Sequence, residues 1–374
     1  MASRFLISLA CVSALSLGAC ISRDEPILIG LAGPFSQPRG ASMQHAAELA
    51  VTEINQRGGV RGRPFVLVIR DDSAAADVAV GVARDLYDTP GLVAVIGHLS
   101  SGASIAAAPI YNSGPDPVVT ISPSASSPQL SGAGSYTFRV CPDDLVHGRR
   151  LAEWAWTQLG ARSAAVIFEN DEYGRGVRSA FSQSFTAFGG SVASEDPYVP
   201  AIPSFEPYLQ RLARRGGVDA LVIAGTTGGA ERIVDTADSL GLGYRVLGSD
   251  GVAGLEAAPV NADGVFIAAA YLPDRRGSRN EAFLTAYQQV HGDELPDHRG
   301  AGAYDIVHLL AQAIEAVGTN RSEIRDYLAG VGTSTPAFEG VTGTIAFDEN
   351  GDVPNKDVII GVVRNRRLVT AAGQ

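Results

Sequence analysis

The sequence has 374 residues, with 40 acidic and 29 basic side chains, a net charge of -11 and 45% hydrophobic residues. That balance disfavours polyanionic partners such as nucleic acid or an anionic lipid surface, and the apolar content suffices for two cores of ordinary domain size. The three cysteines, Cys11, Cys20 and Cys141, give no disulfide framework.

Arg4 is followed by an apolar run from Phe5 to Leu17. It has the size of a secretory h-region and falls short of the roughly 20 residues that span a bilayer. The run ends in Leu17-Gly18-Ala19-Cys20, and small residues directly before a cysteine resemble the lipobox at which bacterial lipoproteins are cleaved and acylated. Residues 1–19 are therefore expected to be a lipoprotein signal peptide, with Cys20 lipidated and 20–25 serving as anchor and spacer. An ordinary small-residue cleavage site is the alternative.

Beyond the leader, short apolar runs alternate with amphipathic ones. Strands are predicted at 26–31, 64–70, 92–97, 117–122 and 136–140, then at 164–169, 220–225, 245–249 and 264–270. Helices are predicted at 41–57, 77–87, 145–159, 176–188 and 230–240, with an alanine-rich helix opening after 98–104. Continuous apolar strands alternating with helices imply parallel sheets covered on both faces. Two such series predict an α/β fold of two doubly wound, Rossmann-like lobes. After Tyr271 helices take over, at 280–291, 302–317 and 322–328. GTIAF and VIIGVV are predicted to pair as a hairpin through Asn350-Gly351. The acid spacing in DENGD does not fit an EF-hand loop and reads as the tip of that hairpin.

Ligands of doubly wound sheets bind at the carboxyl ends of the strands. HLSSGAS, 98–104, lies at such an end. There the free N–H groups of a helix N-terminus, with the hydroxyls of Ser100, Ser101 and Ser104, suit an anion; a plain serine cap is the other reading. TISPSASSPQL, 120–130, follows the next strand with more small hydroxyl residues, and two such ends suit one carboxylate. Phosphate binding by a P-loop is excluded because the only lysine is Lys356, and no G-x-G-x-x-G follows a strand. His98 reads as a hydrogen-bonded structural residue. No G-x-S-x-G, H-E-x-x-H or cysteine pair supports an enzyme, and neither cofactor nor metal is expected.

Taken in order, GPFS (33–36), EINQRGGVRGRPF (53–65), RDDS (70–73), VIGHLSSGAS (95–104), ISPSAS (121–126), FRVCPDDLVHG (138–148), EYGRG (172–176) and GSDGV (248–252) carry a resemblance. From about Ile27 to about Val363 the chain resembles the branched-chain (Leu/Ile/Val) amino-acid-binding proteins, type I solute-binding proteins of ABC importers. The resemblance implies the type I periplasmic binding protein fold, with two lobes joined by a three-crossing hinge. Lobe one would be 26–142 plus 272–339, and lobe two 143–271 plus 340–374. It further implies that Ser101, the backbone of Ser124 and the hydroxyl of Ser126 hold an amino acid's α-carboxylate. Tyr173, from lobe two, would close over the ligand.

Two departures bear on the cargo. Gly229 stands where the family usually has an acid for the α-ammonium, and Glu231 is displaced toward the following helix. Asp250 either substitutes for that acid or caps a turn. Arg39, in a loop that looks shortened, is either solvated or faces the cleft to pair a second acidic group. The implied protein is a monomeric, lipid-anchored, extracytoplasmic receptor. It would capture a small carboxylate-bearing solute such as an amino acid and deliver it to an ABC permease. A ligand-sensing lipoprotein subunit for a signalling or cell-wall partner is the alternative.

Overall fold

The computed structural model describes residues 25–373. The expected signal peptide and Cys20 lie outside the described residues. Strands β1 (Ile27–Gly33), β2 (Phe65–Asp71), β3 (Leu92–Ile96), β4 (Val119–Ser122) and β5 (Thr137–Arg139) form a parallel sheet in the order β2-β1-β3-β4-β5. Helices α1 (Pro38–Gln56), α2 (Ala76–Tyr87) and α3 (Ser101–Tyr111) connect them. The chain then enters α4 (Asp144–Thr157) and repeats the pattern with β6 (Ser163–Glu169), α5 (Glu172–Ala187), β7 (Ser191–Tyr198), α6 (Glu206–Arg214), β8 (Ala220–Ala224), α7 (Thr227–Ser239), β9 (Arg245–Gly248) and β10 (Phe266–Ala269). These strands take the equivalent order, β7-β6-β8-β9-β10, again parallel.

Burial explains the strand sequences. LVAVI of β3 and ALVIA of β8 are buried at every position because helices cover both faces. In the second lobe, successive residues feed opposite cores: Val166 and Val222 pack with Phe181 and Phe185, while Ile167 and Ile223 pack with Leu209 and Ile233. Strand β7 escapes a hydrophobicity search because SVASEDPY occupies an edge and alternates exposed with half-buried residues. Helix α6 was likewise not foreseen.

The chain returns to the first lobe through α8 (Ser278–His291), α9 (His298–Val317) and α10 (Arg321–Gly330), followed by β11 (Phe338–Gly340) and β12 (Gly343–Ile345). Leu309, Leu310 and Ile314 of α9 share a core with Ile29, Leu31 and Ile96. The C-terminal strands β13 (Ile359–Arg364) and β14 (Arg367–Thr370) extend the second sheet, β13 running antiparallel to β10 and β14 antiparallel to β13.

The C-terminal expectations need two corrections. GTIAF and VIIGVV do not pair: β12 pairs with β11, whereas β13 pairs with β10 and β14. Only Gly351 of the Asn350-Gly351 pair has positive φ, at 76°. The two-residue hairpin turn is instead Asn365-Arg366, with φ of 50° and 60°, as a type I' turn demands. Its lack of glycine hid it. The third lobe crossing also falls later than 339/340. Ile345, Phe347 and Val353 are buried in the first lobe's core, where the Phe347 ring meets Phe138 edge-on at 5.0 Å.

The crossing therefore lies between Val353 and β13, and it contains Lys356. Its ammonium donates to Thr342 Oγ1 at 2.5 Å, and the Thr342 hydroxyl donates to Asp305 Oδ2 at 2.5 Å. Burial lowers the Lys356 pKa to about 8, against the raising effect of Asp305. Phe347→Ala should remove about 3–5 kcal/mol of stability by opening a cavity beneath Phe138. Urea unfolding followed by far-ultraviolet circular dichroism, which reports on the helices of both lobes, should show a lowered midpoint, and an unchanged midpoint would refute this assignment of 340–353 to the first core.

Candidate functional site

A narrow cleft lies where the carboxyl ends of strands from the two sheets face one another, with a cavity volume of about 40 Å³. The first lobe contributes Arg39, Leu99, Ser100, Ser101 and Ser124, which follow β1, β3 and β4, and Arg299 near the start of α9. The second contributes Asp171, Tyr173, Thr226, Asp250 and Gly251, which follow β6, β8 and β9. The equal strand orders bring the switch points β1/β3 and β6/β8 to this position.

On the first-lobe wall, Ser100 is the N-cap residue of α3 but makes no side-chain capping bond, and its hydroxyl is buried without a partner. The first intrahelical bond runs from Ser104 N to Ser100 O, so the N–H groups before Ser104 are not taken up by the helix ladder. The Ser101 hydroxyl oxygen accepts the Ser127 N–H at 3.2 Å, which ties the two serine loops together and leaves its hydrogen to donate. Ser124 N–H reaches Ser122 Oγ at 3.3 Å, while the Ser124 hydroxyl lies 3.3 Å from His298 Nε2. Two expectations change here. The Ser104 hydroxyl is committed to the His98 carbonyl at 3.0 Å. Ser126 is fully buried beneath the cleft, not on its wall: its carbonyl accepts the Asp144 N–H at 2.8 Å, and its hydroxyl lies against the Asp144 carboxyl. His98 is buried between Asp72, at 2.6 Å, and the Tyr111 hydroxyl, at 3.2 Å, which is a structural arrangement.

On the opposite wall, the Tyr173 phenol donates to Asp250 Oδ1 at 2.8 Å and accepts the Gly251 N–H at 2.7 Å. Asp250 also accepts the Ser249 hydroxyl at 3.1 Å, and its Oδ2 lies 3.5 Å from His298 Nε2. Burial alone would raise the Asp250 pKa, but His147 and His298, the Tyr173 hydrogen bond and Arg299 together hold it below the usual range. Asp250 is the first residue of a short 3₁₀ turn, Asp250–Val252, whose N-cap is Ser249 and which has no side-chain cap; its carboxylate therefore does not cap the turn, and Asp250 lines the cleft. Asp171 caps α5 by accepting the Gly174 N–H at 2.7 Å, and burial lifts its carboxyl to about 6.

The packing around Gly229 leaves no room for a side chain. A Cβ at Gly229 would stand 2.1 Å from the Tyr198 hydroxyl. That phenol donates to Glu169 Oε2 at 3.2 Å, and the same carboxylate accepts the Thr226 hydroxyl at 2.9 Å and its N–H at 3.3 Å. The acid in this corner therefore comes from the end of β6.

Arg299, His298, Asp171 and Thr226 were not found from the sequence. Arg299 is buried, with Nη1 on Asp297 Oδ2 at 2.5 Å and Nη2 donating to the carbonyls of Asp250 and Gly251 at 3.2 and 3.4 Å. A first-lobe helix thus grips second-lobe backbone. A signal was present: DHRG puts a cation into the first turn of a helix, against its dipole, and local rule-breaking of this kind marks functional sites. Arg39 occupies the first turn of α1 in the same way. Its Nε donates to Gln37 Oε1 at 3.0 Å. Burial and then Arg299 lower its pKa, opposed by Glu169, Asp72 and Asp171. Arg39 faces the cleft.

Two equivalent α/β lobes, with donors on one wall of the cleft between them and acids on the other, define the frame of a two-lobed solute-binding protein. The chain belongs to the periplasmic binding protein family, whose profile matches residues 26–367. It is 27% identical over 331 residues to Leu/Ile/Val-binding protein homolog 1 of Brucella abortus, covering 87% of each chain. The branched-chain amino acid transporter substrate-binding protein of Streptococcus pneumoniae, solved with isoleucine, superposes with a TM-score of 0.82 at 27% identity, over 92% of this chain and 98% of that one. An ABC transporter substrate-binding protein of Desulfitobacterium hafniense, solved with leucine, gives 0.80 at 31% identity, over 93% and 100%. These relatives are solute-binding proteins and not enzymes, and the family acts outside the cytoplasm with ABC transporters.

Two measurements probe this geometry. Gly229→Ala should cost about 1–3 kcal/mol by displacing the packed Tyr198 phenol, and Tyr198→Phe in the same chain should recover part of the loss. For Asp171, the folded pKa of about 6 exceeds the ordinary 3.8, so between these values the folded state holds the proton that the unfolded state has lost. Stability from this group is present at low pH and is lost as pH rises through that window. Asp171→Asn keeps the cap, so its melting temperature relative to the parent should be higher at pH 7 than at pH 4; a pH-independent difference would contradict the raised carboxyl.

Proposed function

We propose that the protein captures a small amino acid with a polar or acidic side chain and presents it to an ABC permease. The observation that carries this reading is the division of charge across the cleft. Ser100, Ser101 and the α3 N-terminus supply donors for an α-carboxylate, and Asp171 and Asp250 face them as acceptors for an ammonium. Arg39 adds a cation for a second acidic group, while Leu99 is the one aliphatic side chain among the lining residues. Charge-assisted hydrogen bonds of this type contribute about 1.5–3 kcal/mol each, enough for two or three to hold a small ligand. The cargoes of the Streptococcus pneumoniae and Desulfitobacterium hafniense proteins, isoleucine and leucine, support an amino acid. The polar lining favours a different side chain here.

In this reading Tyr173 closes the site through its bond to Asp250, Ser124 contributes with His298, and Ser126 positions the second serine loop through Asp144. One chain supplies both walls, in keeping with a working monomer. Tethering by lipid at Cys20 rests on the leader and its small residues before the cysteine.

The test is a thermal-shift panel on protein unfolded and refolded to remove carried ligand, using glutamate, aspartate, glutamine, leucine and benzoate. A ligand at about 100 times its Kd adds about 2.7 kcal/mol to stability. Acidic or polar amino acids should raise the melting temperature most, Ser101→Ala should weaken binding about tenfold, and Arg39→Met should abolish the preference for glutamate over glutamine. The greatest rise with leucine or benzoate, or a glutamate preference unaffected by Arg39→Met, would overturn this reading.

A further inference from the structure

Away from the cleft, three elements of the first lobe bring two imidazoles and a carboxylate together. His45 lies on α1, His291 ends α8, and Glu294 sits in the turn leading to α9. His45 Nδ1 is 3.3 Å from Glu294 Oε1. The His45 and His291 rings stack with centroids 4.2 Å apart and planes 10° from parallel. One ligand atom from each of the three residues lies within 4.8 Å of the other two. Gly292, with φ of 66°, turns the chain directly after α8, so that Glu294 comes back against the histidine three residues before it. The buried Tyr287 donates its hydroxyl to Glu294 Oε1 at 3.0 Å.

We propose that His45, His291 and Glu294 bind one divalent first-row transition-metal ion, with zinc as the type case. Two nitrogens and one oxygen suit Zn²⁺ and its neighbours in the series, whereas Mg²⁺ and Ca²⁺ require oxygen-only sets. Metal–ligand bonds of about 2.0–2.2 Å separate ligand atoms around one ion by about 3–3.6 Å. Sharing one ion requires the His45 ring to turn out of its stack on His291 so that both ring planes meet at the metal, and His45 and Glu294, 32% and 42% exposed, have the space to reorient. Water completes the coordination on the exposed side. Tyr287 serves as an outer partner that orients the carboxylate. A bound ion joins α1, whose first turn carries Arg39, to the α8–α9 connection that leads into His298 and Arg299. It thereby braces from behind the two helix starts that carry the cleft's cations.

The experiment is calorimetric titration of the untagged full chain, stripped by chelation, with zinc chloride at neutral pH. One equivalent should bind, His45→Ala and His291→Ala should each weaken binding at least tenfold, and Co²⁺ should give the visible absorption of a site with nitrogen ligands. Melting temperatures of the metal-free variants should match the parent, since the side chains removed are partly exposed. Failure of the parent to bind a stoichiometric ion would overturn the proposal. So would zinc affinity unchanged in the His45→Ala/His291→Ala double variant.

Discussion

A carboxylate taken out of water must be met by donors and positive charge, and Asp250, 1% exposed, is met from both lobes. Tyr173 and Ser249 reach it from its own lobe, and His298 approaches from the other. Arg299, anchored by Asp297, spans the same gap to the carbonyls of Asp250 and Gly251. Burial, with Arg299 adding to it, lowers the His298 pKa to about 4, so at neutral pH its ring meets Asp250 without a charge of its own. Removing one member of such a buried set leaves the others unpaired, at a typical cost of about 3–5 kcal/mol. This junction ties the first-lobe start of α9 to the second-lobe turn that carries Asp250 and Gly251, two of the cleft's lining residues.

The cleft is the product of one strand order used twice. In each sheet the first strand of the βαβ pair lies inside, so consecutive connections pass to opposite faces and leave a crevice at the carboxyl ends. Facing two such crevices places neutral donors and guanidinium groups on one wall and carboxylates on the other. That separation matches a zwitterion better than it matches either a simple anion or a simple cation. Three lobe crossings join the walls, and the last is fastened by Lys356, Thr342 and Asp305.

The strongly periodic parts of the fold were legible because burial on both faces makes strands such as β3 and β8 continuously apolar. The serine loops were legible because short loops at strand ends carry their chemistry in consecutive residues, whereas Tyr173 was reached through the family resemblance of EYGRG. Edge strand β7 was not, since half its side chains face water and its sequence reads as a loop. Asn350-Gly351 misled because a turn propensity says nothing about which strands it joins, while Asn365-Arg366 adopts the same turn without the usual glycine. Ser104 and Ser126 have the right chemistry, yet their hydroxyls lie against a neighbouring carbonyl and a buried carboxyl.

Alternation of buried strands with helices, and hydroxyl-rich turns after those strands, are properties of neighbouring residues; the sequence by itself therefore determined the two α/β lobes and half of the cleft. Contacts between residues far apart in the chain belong to the folded molecule. Only the tertiary structure decided that Arg299 of α9 would reach Asp250, 49 positions away, and that Arg39 would turn inward. It also decided that Tyr198 would fill the space above Gly229, and that Glu169 would supply the carboxylate absent there. Each outcome depends on how two packed lobes share volume and charge across a gap, which no local window of sequence contains.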